Sequence, residues 1–187
     1  MAKIMTGKVR LSYPHLAEPR ANSEGDKPKY SATLLIPKDD KATLGKIKDA
    51  IKEAADEFRE KNGAASLPAK PKTTLHDGDG EREDGSEFGA ECKGCYVITV
   101  SSQNTPLLID RRKNEVDEVE EVFYPGCYVR AQLNFKGYNF NGKKGITAYL
   151  NAVQWLADGE RLGEARASAD DFDDLEDDFD DDDEFFA

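Results

Sequence analysis

Apolar and polar residues alternate from the start of the chain. Over residues 7–13, Val9, Leu11 and Tyr13 fall on one side, and Lys8, Arg10 and Ser12 on the other. This period of two predicts a half-buried strand with a basic outer face. Residues 14–28, rich in Pro, Gly and Asn, predict a loop. Residues 29–36 (Lys-Tyr-Ser-Ala-Thr-Leu-Leu-Ile) predict a second strand, stopped by Pro37. The period then changes. Ile47, Ala50, Ile51, Ala54 and Phe58 recur at helical spacing, which predicts a helix from residue 40 to 62. Asp39 or Asp40 can cap its start, and Asn62-Gly63 fits its end. The helix's outer face mixes Lys46, Lys48, Lys52, Glu53, Asp56, Glu57, Arg59 and Glu60, the pattern of a solvated surface.

Residues 64–94 contain Pro68, Pro71 and the run His76-Asp-Gly-Asp-Gly-Glu-Arg-Glu-Asp-Gly85, and read as loop. A β-rich run follows at 95–101 and a short apolar run at 106–109. The last two strands are expected at 127–135 and 145–155, joined by a turn at Asn139–Lys143. Short strands, Gly-rich turns and one helix suggest a small barrel or sandwich.

Length and charge sharpen this outline. The chain has 187 residues, which accommodates one modest domain plus an appendage. Its net charge of -12 is unevenly placed. Of the 38 acids, 12 lie in residues 170–187, which hold no Lys or Arg, so residues 1–169 carry 26 acids against 26 bases. The body is neutral, and its acidic isoelectric point says nothing against an anionic ligand. What matters is how the body distributes its charge. Repulsion among the tail's acids, and the scarcity of apolar residues there, predict disorder from Asp170 onward. Residues 158–169 read as a linker. The tail nevertheless carries Phe172, Phe179, Phe185 and Phe186, which solubility alone does not require. An acidic strip with aromatics can compete for a basic groove or anchor on a partner.

The strand expected at 127–135 carries most of the functional signal. Cys127, Val129, Ala131, Leu133 and Phe135 form an unbroken apolar face; Tyr128, Arg130, Gln132, Asn134 and Lys136 form the other. Between Pro125 and Trp155 there is no Asp or Glu, while Arg130, Lys136, Lys143 and Lys144 are all present. Tyr138 and Phe140 enter the turn, and Tyr149 lies on the polar side of the next strand. Cations that meet phosphates, interleaved with aromatics that stack on unpaired bases, are what single-stranded nucleic acid requires. Lys8 and Arg10 on the first strand, and Arg111-Arg112-Lys113 in an expected loop, add positive charge.

Other chemistry is poorly supported. Cys92-Lys-Gly-Cys95 has a zinc-like spacing, with Cys127 and His76 as further ligands, but a second paired motif is missing and buried structural cysteine fits better. Asp77, Asp79 and Glu81 imitate a calcium loop, but Arg82 stands where that loop needs Gly. No metal and no cofactor are expected. His15 and His76 are the only histidines, and no nucleophile-elbow, phosphate-loop or dinucleotide fingerprint occurs, so an enzyme is not expected. No membrane span and no secretory signal are expected either. Three cysteines are too few for a disulfide framework, which points to a reducing cytoplasm.

An ordered set of segments resembles a known family. Gly7-Lys-Val-Arg-Leu-Ser-Tyr-Pro14, Tyr30-Ser-Ala-Thr-Leu-Leu-Ile-Pro37, Tyr124-Pro-Gly-Cys-Tyr-Val-Arg-Ala131, and Gly145 to Leu156 followed by Asp158-Gly-Glu-Arg-Leu-Gly163 resemble the single-stranded DNA-binding proteins of tailed bacteriophages. The tail is similar to the acidic, Phe-bearing C-termini of such proteins, although it ends Phe185-Phe186-Ala187 where bacterial relatives usually end Pro-Phe. The resemblance implies a mainly β OB-fold over residues 1–157, a five-stranded Greek-key barrel with one helix. A linker at 158–169 and the acidic tail at 170–187 would follow. It further implies sequence-independent coating of single-stranded DNA in phage replication and recombination, in the cytoplasm of an infected bacterium. Replication or recombination proteins would be partners through the tail (Phe179, Phe185, Phe186), and self-association stays open. An acidic-tailed chaperone or inhibitor of basic proteins is the alternative.

Overall fold

The computed structural model describes residues 2–21 and 23–162; the acidic tail and most of the expected linker lie outside the described residues. Eight strands and two α-helices alternate along the chain as β1 (Ala2–Met5), β2 (Val9–Arg20), β3 (Lys29–Pro37), α1 (Lys41–Asn62), β4 (Leu75–Asp77), β5 (Cys95–Ser102), β6 (Leu107–Ile109), α2 (Val119–Val122), β7 (Tyr128–Phe140) and β8 (Lys143–Ala157).

Five of these strands close on themselves. β2 pairs β3, β3 pairs β5, β5 pairs β8, β8 pairs β7, and β7 returns to β2. All contacts in this ring are antiparallel except β5 with β8. A five-strand Greek-key ring of this kind is the OB-fold. The short strands decorate it: β1 extends the N-terminal edge along β7, β4 flanks β5, and β6 flanks β8.

Period-two alternation builds the interior. Val9, Leu11, Leu34, Ile36, Ile98, Val100, Val129, Leu133, Phe135, Ile146 and Leu150 are all buried in one cluster. The apolar stripe of α1 joins it through Leu44, Ile47, Ala50 and Ala54. Asp40 caps the helix by accepting from the Thr43 amide at 3.1 Å. The Thr43 hydroxyl accepts from the Gly7 amide at 2.9 Å, so the cap also fastens the helix to the β1–β2 corner. At the other end Gly63, with φ of 98°, closes the helix on the Arg59 carbonyl. Phe58 then lies where a side chain at Gly137 would have to sit: a Cβ there would be 2.6 Å from its ring.

Three elements differ from expectation. The strand begun at Val9 does not stop before Pro14. It kinks at Tyr13 (φ of 42°), shifts register, and runs on to Arg20 opposite β3. Past the kink β2 pairs only β3, so Pro14 and Pro19 sit where a missing N–H is tolerated. The stretch 64–94 is not all loop: Lys72 bridges Gly145, and β4 pairs Ile98 to Tyr96 of β5. It therefore seals the gap between β8 and the first half of β5. The last hairpin is longer than expected. Its strands reach Phe140 and restart at Lys143, around a two-residue turn with Asn141 (φ of 50°) and Gly142 (φ of 79°) both left-handed, the backbone that Asn-Gly favours between twisted strands.

Candidate nucleic-acid interface

The apolar face read at 127–135 is the barrel interior: Cys127, Val129, Ala131 and Leu133 are fully buried. The opposite face therefore points out. Cross-strand pairing aligns Tyr138 with Gly145, Lys136 with Thr147, Asn134 with Tyr149, and Arg130 with Gln154. A bulge between Gln132 and Leu133, with Asn151 as the extra residue opposite, bends this face. The Asn134 side-chain amide donates to Asn151 Oδ1 across it. β7 has 13 residues, so at about 3.3 Å per residue its ends are about 40 Å apart. The expected binding residues thus divide into two groups rather than one patch.

The first group gathers at the start of β7. Tyr128 is flanked by Lys8, whose Nζ lies 4.5 Å from the ring centroid, and by Arg10 at 5.9 Å. Arg10 is also bonded to the carbonyls of Gly126 and Glu160. Residues 158–162 lie along this end. Leu162 donates its amide to the Pro125 carbonyl, Tyr124 donates to Asp158, and Gly159 approaches the Tyr128 ring closely enough that a Cβ would be 2.9 Å away. Leu162 then packs beside Leu35, Val97, Cys92 and Phe88 on the outside of β3 and β5. Arg130 is bonded to Gln154, and Gln154 in turn donates to the Asp110 carbonyl. That link sets the turn bearing Arg111 and Arg112 beside Arg130. The turn itself is shaped by the Asp110 carboxylate, which accepts the amides of Arg112 and Asn114 and is held below the usual carboxylate range by those bonds.

The second group runs from mid-strand to the hairpin tip. Gln132 is half-buried opposite Met5 of β1, and Lys136 is exposed. Tyr149 is 37% exposed and pairs with Ser101 of β5. Phe140 is 72% exposed at the tip, with Lys143 and Lys144 following the turn. Neither lysine takes part in an ion pair among the described residues. In OB-folds, oligonucleotides cross the outer face of the second and third barrel strands between the loops joining strands one to two and four to five. Here those strands are β3 and β5, and the four-to-five loop is the β7–β8 turn. Thr33, Thr99 and Ser101 line the outer face, and Tyr149 stands at its border. The hairpin group therefore adjoins that face.

Tyr138 points away from the tip. The Cβ position of Gly145 is taken by the Lys72 carbonyl at 2.5 Å and the Tyr138 hydroxyl at 3.0 Å, so the absent side chain lets the ring lie across β8 toward the 72–88 stretch. His76, Arg82 and Phe88 of that stretch share a depression with Tyr138. Sequence reading missed them because no periodicity marks a three-residue strand set in Gly-rich chain. The available signal was an aromatic and an imidazole amid otherwise polar residues. Tyr13, 65% exposed on a left-handed backbone, was missed as an outward residue because simple alternation put it inside.

Cys92 and Cys95 pack in one small cluster, and Cys127 lies apart in the barrel core. Groups of His, Cys, Asp or Glu able to hold a metal do not occur among the described residues. Burial pushes the Cys127 thiol up to about 12 and raises Cys92 and Cys95 as well, whereas a metal ligand must be a thiolate. Asp77 and Asp79 instead grip Lys38, each at 2.7 Å. No described helix is long and apolar enough to cross a membrane.

Comparison with known proteins gives a consistent picture. Residues 2–186 match the family described as Enterobacter phage Enc34, ssDNA-binding protein. Protein p50 of Acyrthosiphon pisum secondary endosymbiont phage 1 is 35% identical over 181 residues, covering 92% of this chain and 94% of that protein. The single-stranded DNA-binding protein of bacteriophage Enc34, solved in complex with ssDNA, superposes with a TM-score of 0.72 at 32% identity, over 87% of this chain and 90% of that one. The bacteriophage T7 single-stranded DNA-binding protein gp2.5 shares the fold, with a TM-score of 0.60 at 14% identity over 94% of this chain and 99% of that one.

Proposed function

The chain belongs to the family of the Enterobacter phage Enc34 ssDNA-binding protein, a family of non-enzymatic binders, and from that premise we propose that it coats single-stranded DNA without sequence preference during phage DNA replication and recombination. The observation that carries the reading is the outer side of the β7–β8 hairpin. From Pro125 to Trp155 it has no carboxylate, and it places the exposed rings of Phe140 and Tyr149 on the same side of the hairpin as Lys136 and Lys143, with Lys144 at the tip on the other side. Phosphates meet the cations and bases stack on the rings, and because every base has a π-face such binding tolerates any sequence.

The tail acts on the same surface. Its 12 acids within residues 170–187 are tethered close to the body, and for short flexible linkers the effective concentration is on the order of millimolar. The tail competes with DNA for the barrel's cations. DNA displaces it and frees Phe179, Phe185 and Phe186 for a replication or recombination protein. The position of Leu162, packed against Leu35 and Val97 on the outer face of β3 and β5, supports an approach along the DNA-facing side. The test compares the whole chain with one ending at residue 163, by anisotropy of a labelled oligonucleotide. The shortened chain should bind more tightly, most of all at low salt where the Debye length is long. Equal affinities at low and high salt would leave the tail a solubilising segment only, and no binding by either chain would refute the function itself.

A further inference from the structure

We propose that the 72–88 stretch, inserted between β8 and β5, builds a separate base-stacking subsite on the nucleic-acid path, with Tyr138 as one wall and His76 with the Arg82–Phe88 pair as the other. The inference rests on the single-stranded DNA reading above and adds residues that the hairpin face does not include.

The stretch is built into the barrel rather than draped over it. The Lys72 carbonyl accepts the Ile146 amide at 2.8 Å, the Thr74 carbonyl accepts the Thr99 amide, and β4 pairs β5. Leu75 packs into the core, so its neighbour His76 faces outward. The ring of Phe88 lies 6.1 Å from His76 and packs on Leu35, Val97 and Cys92. Arg82 sits over that ring at 4.8 Å and is fixed by donating to the Glu87 carbonyl at 2.8 Å. A guanidinium backed by an aromatic ring presents a flat plane on which an unpaired base can stack. Tyr138 and Thr99 complete the opposite side of a depression of about 520 Å³. It is continuous with the β5–β8 surface, because Thr99 lies two residues before Ser101, the partner of Tyr149.

The charges select a base over a phosphate. Glu83 is paired with Lys72 at 2.8 Å, and Asp84 accepts both the amide and the hydroxyl of Ser86. Both carboxylates line the depression beside Arg82 and repel a phosphate, so phosphates are left to Lys143 and Lys144 while the depression takes a ring.

Oligothymidylates of graded length, titrated against the whole protein by anisotropy, test this. Tyr138→Leu and His76→Gln change the walls with little change in volume, and Phe88→Leu keeps the packing on Leu35 and Val97 while removing the ring; thermal melting reports their folding. Each should weaken binding of long oligonucleotides by about 5- to 150-fold, the loss expected for one stacked base. Affinity should also stop rising with length about one nucleotide earlier than for the unaltered protein. If the unaltered protein binds and all three variants match it at every length, the subsite is wrong while the hairpin face stands. If the unaltered protein binds none of the oligonucleotides, the function itself falls.

Discussion

The two ends of β7 carry the same residue types in different states. At its start, Tyr128 is already flanked by Lys8 and Arg10, and Arg10 and Arg130 are committed to the Gly126, Glu160 and Gln154 oxygens. At its far end, Phe140, Lys143 and Lys144 project into solvent without such partners among the described residues. A cation held by protein oxygens has little left to offer a phosphate until those bonds break. Cations and rings in one chain segment therefore divide into those that hold the barrel's end to residues 158–162 and those free to meet a ligand.

The sharpest break of this comparison is at Gly126. Its φ is 110°, and a Cβ would fall 2.0 Å from the Glu160 carbonyl, so side chains are excluded both by backbone conformation and by space. Gly126→Ala should cost about 2–4 kcal/mol of stability in a denaturant titration. An unchanged midpoint would mean the start of β7 is not the fastened end. Next come the two tyrosines. Tyr149→Ala should weaken single-stranded DNA binding by about 1–3 kcal/mol and leave stability within about 0.5 kcal/mol. Tyr128→Ala should do the reverse, losing about 1 kcal/mol of stability with its cation contacts. Equal binding losses at both positions would erase the distinction.

Charge gives the smallest and most diagnostic effect. Each phosphate neutralised on a single strand contributes about 0.7 to the slope of log affinity against log salt. Replacing Lys143 and Lys144 together by Ala should therefore flatten that slope by about 1.4. Arg130→Ala should flatten it less, because its guanidinium is already bonded to Gln154. A slope untouched by the lysine pair would place the phosphates elsewhere.

Much of this molecule was legible in the sequence because burial imposes a period. The interior faces of β7 and β8 and the stripe of α1 could be read residue by residue, with Asp40 and Gly63 marking the helix ends. What escaped depended on pairing across long sequence distance. Nothing local marks Lys72 as a neighbour of Gly145, or shows that Pro14 and Pro19 lie on an unpaired strand edge. Likewise, composition places Arg10 and Lys143 in the same class. The Gly126 and Glu160 carbonyls, 116 and 150 residues from Arg10, separate them.

The central claim, that single-stranded DNA lies against the hairpin end and the β5–β8 surface, is tested most directly by photo-crosslinking. An oligonucleotide bearing 5-iodouracil is irradiated on the whole protein, and the adducts are mapped by mass spectrometry. Adducts at Tyr149, Tyr138 and Phe140 are predicted. Adducts confined to Tyr128 and Tyr13, with none on the hairpin, would contradict the account.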